Sequence, residues 1–216
     1  MKVFIGLSVV LWLGGLPWLS ALNSQDLNRV TFVNETGKRL VQLFVSPRDS
    51  QQWGPDILLR KVFDYGSIRD YYVNYEGVKT AFDFLAFDER QNAYLIEAFE
   101  VRDNVSNVVN FTVQNALRYA PKLTLVNVFV TNATNRVIAY FFFSPIDASD
   151  WGFDILNDTN SLQSGGSVVF AVPVGQKATT FELLAVGKDQ TLVQRRISLS
   201  ASKGDTFLDF TLSDLH

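Results

Sequence analysis

Five carboxylates crowd into two loops. Asp49 and Asp56 lie in one, and Asp147, Asp150 and Asp154 lie in the other. Carboxylate oxygens are hard ligands, and a calcium ion takes about six to eight of them, so both loops are candidate calcium sites. Their spacing is not that of an EF-hand. Each loop also carries a Trp-Gly pair, Trp53-Gly54 and Trp151-Gly152. An exposed indole there would be a platform for a sugar or a peptide. A scaffold role accounts for the same residues: each Trp plugs the open end of a β-sandwich, and each Gly lets the chain reverse beside the ring. Asp56 and Asp154 would then cap short helical turns at 56–59 and 154–156. Asp49 and Asp147 would bond their own loop backbone.

Other chemistry is largely excluded. The only His is His216, and there is no Cys. Ser-His-Asp and Cys-His nucleophilic sites are therefore absent, as are zinc sites built on Cys and His. No glycine-rich phosphate motif occurs, and Gly165-Gly166 reads as a turn. Carboxylate-only hydrolysis would leave the pairs Asp83/Asp88 and Glu97/Glu100. Asp83 stands between Phe82 and Phe84, which puts it on the solvated face of a strand. The expectation is no enzyme and no cofactor, with Ca²⁺ as the alternative. Asn-x-Ser/Thr signals at Asn34, Asn104, Asn110, Asn132 and Asn157 are glycan acceptors in a eukaryotic secretory route, or else ordinary turn and strand chemistry.

The segments that must position these groups say one thing twice. Asn34-x-Thr36, Ser46-Pro47, Asp49 and Trp53-Gly54-x-Asp56-Ile57-Leu58 return 98 positions later. The second copy reads Asn132-x-Thr134, Ser144-Pro145, Asp147 and Trp151-Gly152-x-Asp154-Ile155-Leu156. Downstream, 80–87 matches 179–186 and 110–113 matches 209–212, with small insertions falling in loops, where they cost little. Any function must explain why both copies keep the same loop.

The dominant pattern is strand-like. In the first copy, β-branched and aromatic runs cover 29–33, 40–45, 67–74, 80–87, 94–101 and 107–113. The second copy repeats the pattern, with 167–174, 192–199 and 206–212 among its runs. The first two runs read as a hairpin about 34–37. Gly37 supplies positive φ there, and its counterpart Asn135 is the next-best residue for that conformation. About six strands per copy, with regular turn signals, predict an all-β fold. We expect two tandem β-sandwich domains, immunoglobulin-like or transthyretin-like, of about six to seven strands each. They span 22–115 and 116–216 and are joined by a short linker at 114–121. The run 140–143 breaks alternation. Either the strand is buried on both faces, or Tyr140 and one Phe line an interface.

Residues 1–21 combine Lys2, a short apolar run, Pro17 and a small residue at Ala21, the layout of a secretory signal peptide. The run is too short for a confident membrane span. Without this segment the chain keeps 18 basic and 22 acidic residues, a net charge of −4. That balance gives no electrostatic footprint for nucleic acid. Without Cys there are no disulfides, so each domain must rely on its apolar core. The 47% apolar content and 18 Phe make that feasible.

The motif set Asn-x-Thr-Gly, Ser-Pro, Trp-Gly-x-Asp-x-Leu and Phe-Asp-Phe-x-Ala-x-Asp resembles a family of exported bacterial β-domain proteins, known mainly from spirochaetes. The resemblance covers nearly all of the chain after residue 21. It implies a periplasmic or outer-surface location and carries no established activity. The second copy departs from the pattern at Asn135, where Gly is expected, and at Gly187, where Asp is expected. The expected function is that of a non-enzymatic secreted envelope protein, a binding or structural module acting through protein–protein contacts. A calcium-stabilised or carbohydrate-binding sandwich is the alternative. The expected partner is an envelope or secreted protein, a glycan being the other candidate. Edge strands can accept a partner strand. Tyr71, Tyr72, Tyr75 and Tyr140 are the candidate contact aromatics, and Pro173 would discourage pairing at its edge.

Overall fold

The computed structural model describes residues 27–74, 81–103, 105–157 and 161–214. The expected leader at 1–21, and with it Tyr75, Asn104 and His216, lies outside the described residues.

Each repeat folds as a two-layer β-sandwich. The first contains β1 (Leu27–Glu35), β2 (Leu40–Pro47), β3 (Ile68–Asn74), β4 (Ala81–Asp88), β5 (Ala93–Glu100) and β6 (Asn107–Thr112). The second contains β7 (Leu125–Asn132), β8 (Ile138–Pro145), β9 (Gly152–Phe153), β10 (Ser167–Pro173), β11 (Thr179–Gly187), β12 (Leu192–Leu199) and β13 (Thr206–Phe210). In the first, the sheet β6-β1-β3 faces the sheet β2-β4-β5. In the second, β13-β7-β10 faces β12-β11-β8. The pairs β1/β6 and β7/β13 are parallel, and the others are antiparallel.

The expected hairpin is an arch instead. β1 pairs with β3 and β6, while β2 pairs with β4. The chain leaves one sheet at Glu35 and enters the opposite one at Leu40. Both strands bury a face in the same core from opposite sides, and non-local pairing wins over the local one. A buried side-chain knot holds the corner. Asn34 Oδ1 accepts from the Thr36 N–H (3.1 Å) and hydroxyl (2.7 Å), and its Nδ2 donates to the carbonyls of Lys38 (2.8 Å) and Phe63 (2.7 Å). Asn132 does the same with Thr134, Arg136 and Leu162. This is why the Asn-x-Thr pair recurs. A glycan on either Nδ2 would break two bonds of this knot, one of them buried. Gly37 has φ 74° as expected, whereas Asn135 is not in the left-handed region. The Thr134 hydroxyl and Asn132 side chain fix that corner without it.

Aromatic rings fill both interiors. Phe32, Phe84 and Phe111 meet in the first, and Phe141, Phe143, Phe170, Phe181 and Phe210 meet in the second. Each such ring contributes about 2–3 kcal/mol relative to exposure. The broken alternation at 140–143 reflects burial on both faces of β8. Phe141 and Phe143 point into the core, and Phe142 points to the opposite face with Leu184 and Val186.

Candidate functional site

The repeated loops come together at the junction of the two domains. The Asp56 N–H donates to the Ala171 carbonyl of β10, and the Asp154 N–H donates to the Tyr72 carbonyl of β3, each at 2.8 Å. Tyr72 and Ala171 are equivalent positions: Tyr72 pairs with Arg29 on β1, and Ala171 pairs with Asn127, 98 residues later, on β7. Further along, the Gln51 N–H donates to Asp147 Oδ2 (3.2 Å), and the Ser149 N–H donates to Asp49 Oδ2 (3.0 Å). Ser50 Oγ adds a bond to Asp147 Oδ1 (2.7 Å). Its counterpart Ala148 has no hydroxyl to return it. Residue i of one repeat touches residue j of the other, and j touches i in return, the pattern of a two-fold interface. Between the loops, Val45 and Pro55 on one side and Phe143 and Phe153 on the other leave a cavity of about 10 Å³, room for one water.

The exchange goes deeper on one side. β9 adds to the edge of β3, pairing Phe153 with Val73. The Phe153 ring enters the first domain's core against Phe82, Phe84 and Phe32. Its counterpart in the first repeat is Pro55. In return, Leu59 packs against the core of the second domain.

Each repeated residue thus has a mechanical task. Ser46 Oγ donates to the Gln52 carbonyl and Ser144 Oγ to the Asp150 carbonyl, both at 2.7 Å, closing the loops. Asp56 Oδ1 accepts from the N–H groups of Leu43 (3.0 Å) and Leu58 (3.1 Å), while Asp154 Oδ1 accepts from Phe141 (2.8 Å) and Leu156 (3.0 Å). The expected caps form, but on turns rather than on helical segments. Burial pushes the Asp56 carboxyl up to about 6 against the lowering effect of its two backbone bonds and the Arg69 charge. Asp49 and Asp147 bond the opposite repeat's loop and not their own. The five candidate calcium ligands, Asp49, Asp56, Asp147, Asp150 and Asp154, do not converge. Among the described residues, no three acidic or imidazole groups stand together.

The two glycines of the loop are required for different reasons. A Cβ on Gly54 would lie 2.5 Å from the Val45 carbonyl oxygen. Gly152 has φ 73° with open space around it. Neither Trp plugs a sandwich end. Trp53 covers the outer face of β2-β4-β5 with Leu117 of the linker and Leu123 just before β7, over Phe44, Leu85 and Phe87. Trp151 covers the outer face of β8-β11-β12 with Tyr140 and Leu192, and Leu27 of the first domain packs there too. Both indoles are half-buried.

Tyr71 is not a contact aromatic. It is fully buried, edge-on to Phe32, and its hydroxyl donates to the Ile57 carbonyl at 3.0 Å. Tyr72 and Tyr140 are half-buried, Tyr72 bonding the second repeat through its carbonyl. The end of the β3 edge, at Val73 and Asn74, is taken by β9. The carboxylate pairs are not assembled either. Asp83 accepts from the Ala98 N–H (2.7 Å) on the solvated side, as expected. Asp88 is buried and organises its own turn through the N–H groups of Arg90 and Asn92. In the second repeat Asp189, two residues on, takes over by accepting from Thr191. A Cβ on Gly187 would meet these groups at 2.6 Å and 2.4 Å, so Asp and Gly trade places.

Two features separate the repeats and were not singled out from sequence. The first is an apolar row across the outer face of β10-β7-β13, Val169, Phe129 and Phe207, paired in register. The two rings stack at 4.6 Å, and Phe207 is 74% exposed. The same row in the first domain is Asp70, Thr31 and Val108, where Thr31 Oγ1 donates to Asp70 and Arg29 pairs with it. Comparing the copies position by position would have exposed this signal. The second feature is a groove of about 520 Å³ beside the first domain, between Gln42 and Phe87 on the sheet, Gln91 in the turn after β4, and Pro121, Lys122, Leu123 and Leu125 at the start of the second repeat. The counterpart of Gln42 is Tyr140, whose ring lies on Phe142.

No protein-family model matches the chain, and no curated protein matches it. Among solved structures, a candidate adhesin from Bacteroides ovatus is similar at 9% identity and a TM-score of 0.25, over 93% of this chain and 96% of that one. The major pilin subunit of Bacillus cereus is similar at 9% identity and a TM-score of 0.25, over 86% of this chain and 69% of that one. Likeness at this level carries no argument about function. Among the described residues, no helix is long and apolar enough to cross a membrane.

Proposed function

We propose that this chain is an exported, non-enzymatic binding or structural module of the cell envelope, and that it works through protein contacts. The stacked pair Phe129 and Phe207 carries this reading. The second domain spends two aromatic rings on a solvent-facing sheet where the first domain, with the same backbone, uses Thr31 and Val108. Exposed aromatic anchors are what protein interfaces concentrate. Export rests on the leader-like segment at 1–21, and the spirochaete-type motif set supports an envelope location. Each carboxylate first considered for catalysis has a structural partner or lies apart on a strand, which supports a non-enzymatic role.

The test is a photo-crosslinking residue at position 207 of the protein in its own cells, with position 108 as the matched control on the first domain. One recurring envelope protein captured from 207 and not from 108 is the expected result. Equal capture from both positions would remove the assignment of this face.

The carbohydrate-binding alternative finds its support in the groove. Gln42 and Gln91 offer amides, Lys122 a cation and Pro121 and Leu123 apolar surface, a combination suited to a sugar's hydroxyls and its apolar face. Gln42→Tyr, which copies the second repeat, should abolish binding on a glycan array without loss of fold. An array with no ligand for the wild type would end this reading. The indoles of Trp53 and Trp151 support it less, since both are packed on sheet faces. Among the described residues, calcium stabilisation finds no convergent ligand set to rest on.

A further inference from the structure

We infer that the loop following the second strand of each repeat is a self-complementary docking element, whose fitting partner is another copy of the same repeat unit. The chain is then a tethered pair whose association does not depend on its tether.

The reciprocity of the contacts carries this inference. Two bonds run in each direction between equivalent atoms: Asp56 to Ala171 against Asp154 to Tyr72, and Gln51 to Asp147 against Ser149 to Asp49. A contact imposed only by a linker has no reason to be symmetric, because a linker connects inequivalent ends. An interface between like units has that reason, since a surface that fits itself closes about a two-fold axis. Among the loop residues that recur in sequence, Asp49 and Asp147 make this contact through their carboxylates and Asp56 and Asp154 through their N–H groups, while Trp53 and Trp151 serve the outer sheet faces. The outward rows of the two domains, which do not touch it, have diverged. The interface is also more than polar. The buried Phe153 ring and the β9 addition to β3 anchor it on one side, and Leu59 anchors it on the other. This arrangement answers why both copies keep the loop, since each half of a two-fold contact must retain its own.

The test uses the full chain with a site-specific protease sequence inserted after Tyr119, which is 77% exposed. After folding, the linker is cut and the product is sized by native mass spectrometry and gel filtration at micromolar concentration. The expected result is one particle holding both halves, eluting with the uncut chain. Halves that separate, folded or not, overturn the inference. In the same background, Asp49→Ala with Asp147→Ala removes the three loop-to-loop bonds at exposed positions. The cut variant should dissociate at least ten times more readily than the cut wild type, while the uncut variant keeps its denaturation midpoint close to that of the wild type. An unchanged dissociation constant would show that these bonds do not hold the halves together.

Discussion

Phe153 belongs to the second repeat by sequence, yet its ring stands edge-on to Phe82 of the first at 5.2 Å. It is nearly fully buried there, beside Phe32 and Phe84. A residue of one domain is therefore part of the other's core.

Phe153→Ala should cost about 3–5 kcal/mol in urea denaturation, the range for emptying a core ring site. The loss should appear in the first domain's signal, followed by an NMR probe such as the Val73 amide. A cost below about 1 kcal/mol would mean the ring is not held in that core.

Asp56 gives a pH test with a definite sign. Its folded value is raised to about 6 from 3.8, so the native state binds this proton more tightly than the unfolded chain. The group's contribution to stability is fully present below about pH 4 and is lost as pH rises through about 6. A rise of this size corresponds to a preference of about 3 kcal/mol for the protonated carboxyl in the folded protein. Asp56→Asn keeps an acceptor for Leu43 and Leu58 but does not titrate. The stability of the Asn variant relative to wild type should therefore rise by about 2–3 kcal/mol between pH 4 and pH 7. A gap independent of pH would place the proton elsewhere.

The same glycine substitution should give different costs in the two loops. Gly54→Ala drives a Cβ to 2.5 Å from the Val45 carbonyl, so the backbone must move, at about 1–3 kcal/mol. Gly152→Ala meets no atom and bears only a left-handed φ, at about 1 kcal/mol. Thermal denaturation of both variants checks the order. Equal costs would show that the loops are interchangeable at this position.

Gly187→Asp restores the residue that the first repeat has and should destabilise the second domain, because Asp189 and Thr191 already fill that space. Changing all three positions to the first repeat's residues, Gly187→Asp with Asp189→Arg and Thr191→Asn, should recover most of the loss. Failure of the triple variant to improve on the single one would refute the exchange of roles between Asp88 and Asp189.

The sequence by itself determined the two-fold repetition, the all-β class and most of the strands. Alternating β-branched and aromatic residues bounded by turn formers are local signals, and a run such as 192–199 coincides with β12 to the residue. It also put Asp83 on the solvated side of its strand, because the residues on either side of it, Phe82 and Phe84, are apolar and turn the other way. Only the tertiary structure decided which strands pair. The 29–33 and 40–45 runs resemble a hairpin locally, but their pairing partners lie tens of residues away. Tyr71 and Tyr72 are adjacent aromatics, and nothing in the local pattern says which one faces the core. Burial chose Tyr71, because the Ile57 carbonyl satisfies its hydroxyl there. The loop carboxylates, alike as ligands or caps in sequence, acquired distinct tasks only when the second repeat arrived opposite the first. The recurrence of a residue is written in one chain direction, but its reason lies across a contact between segments almost a hundred residues apart.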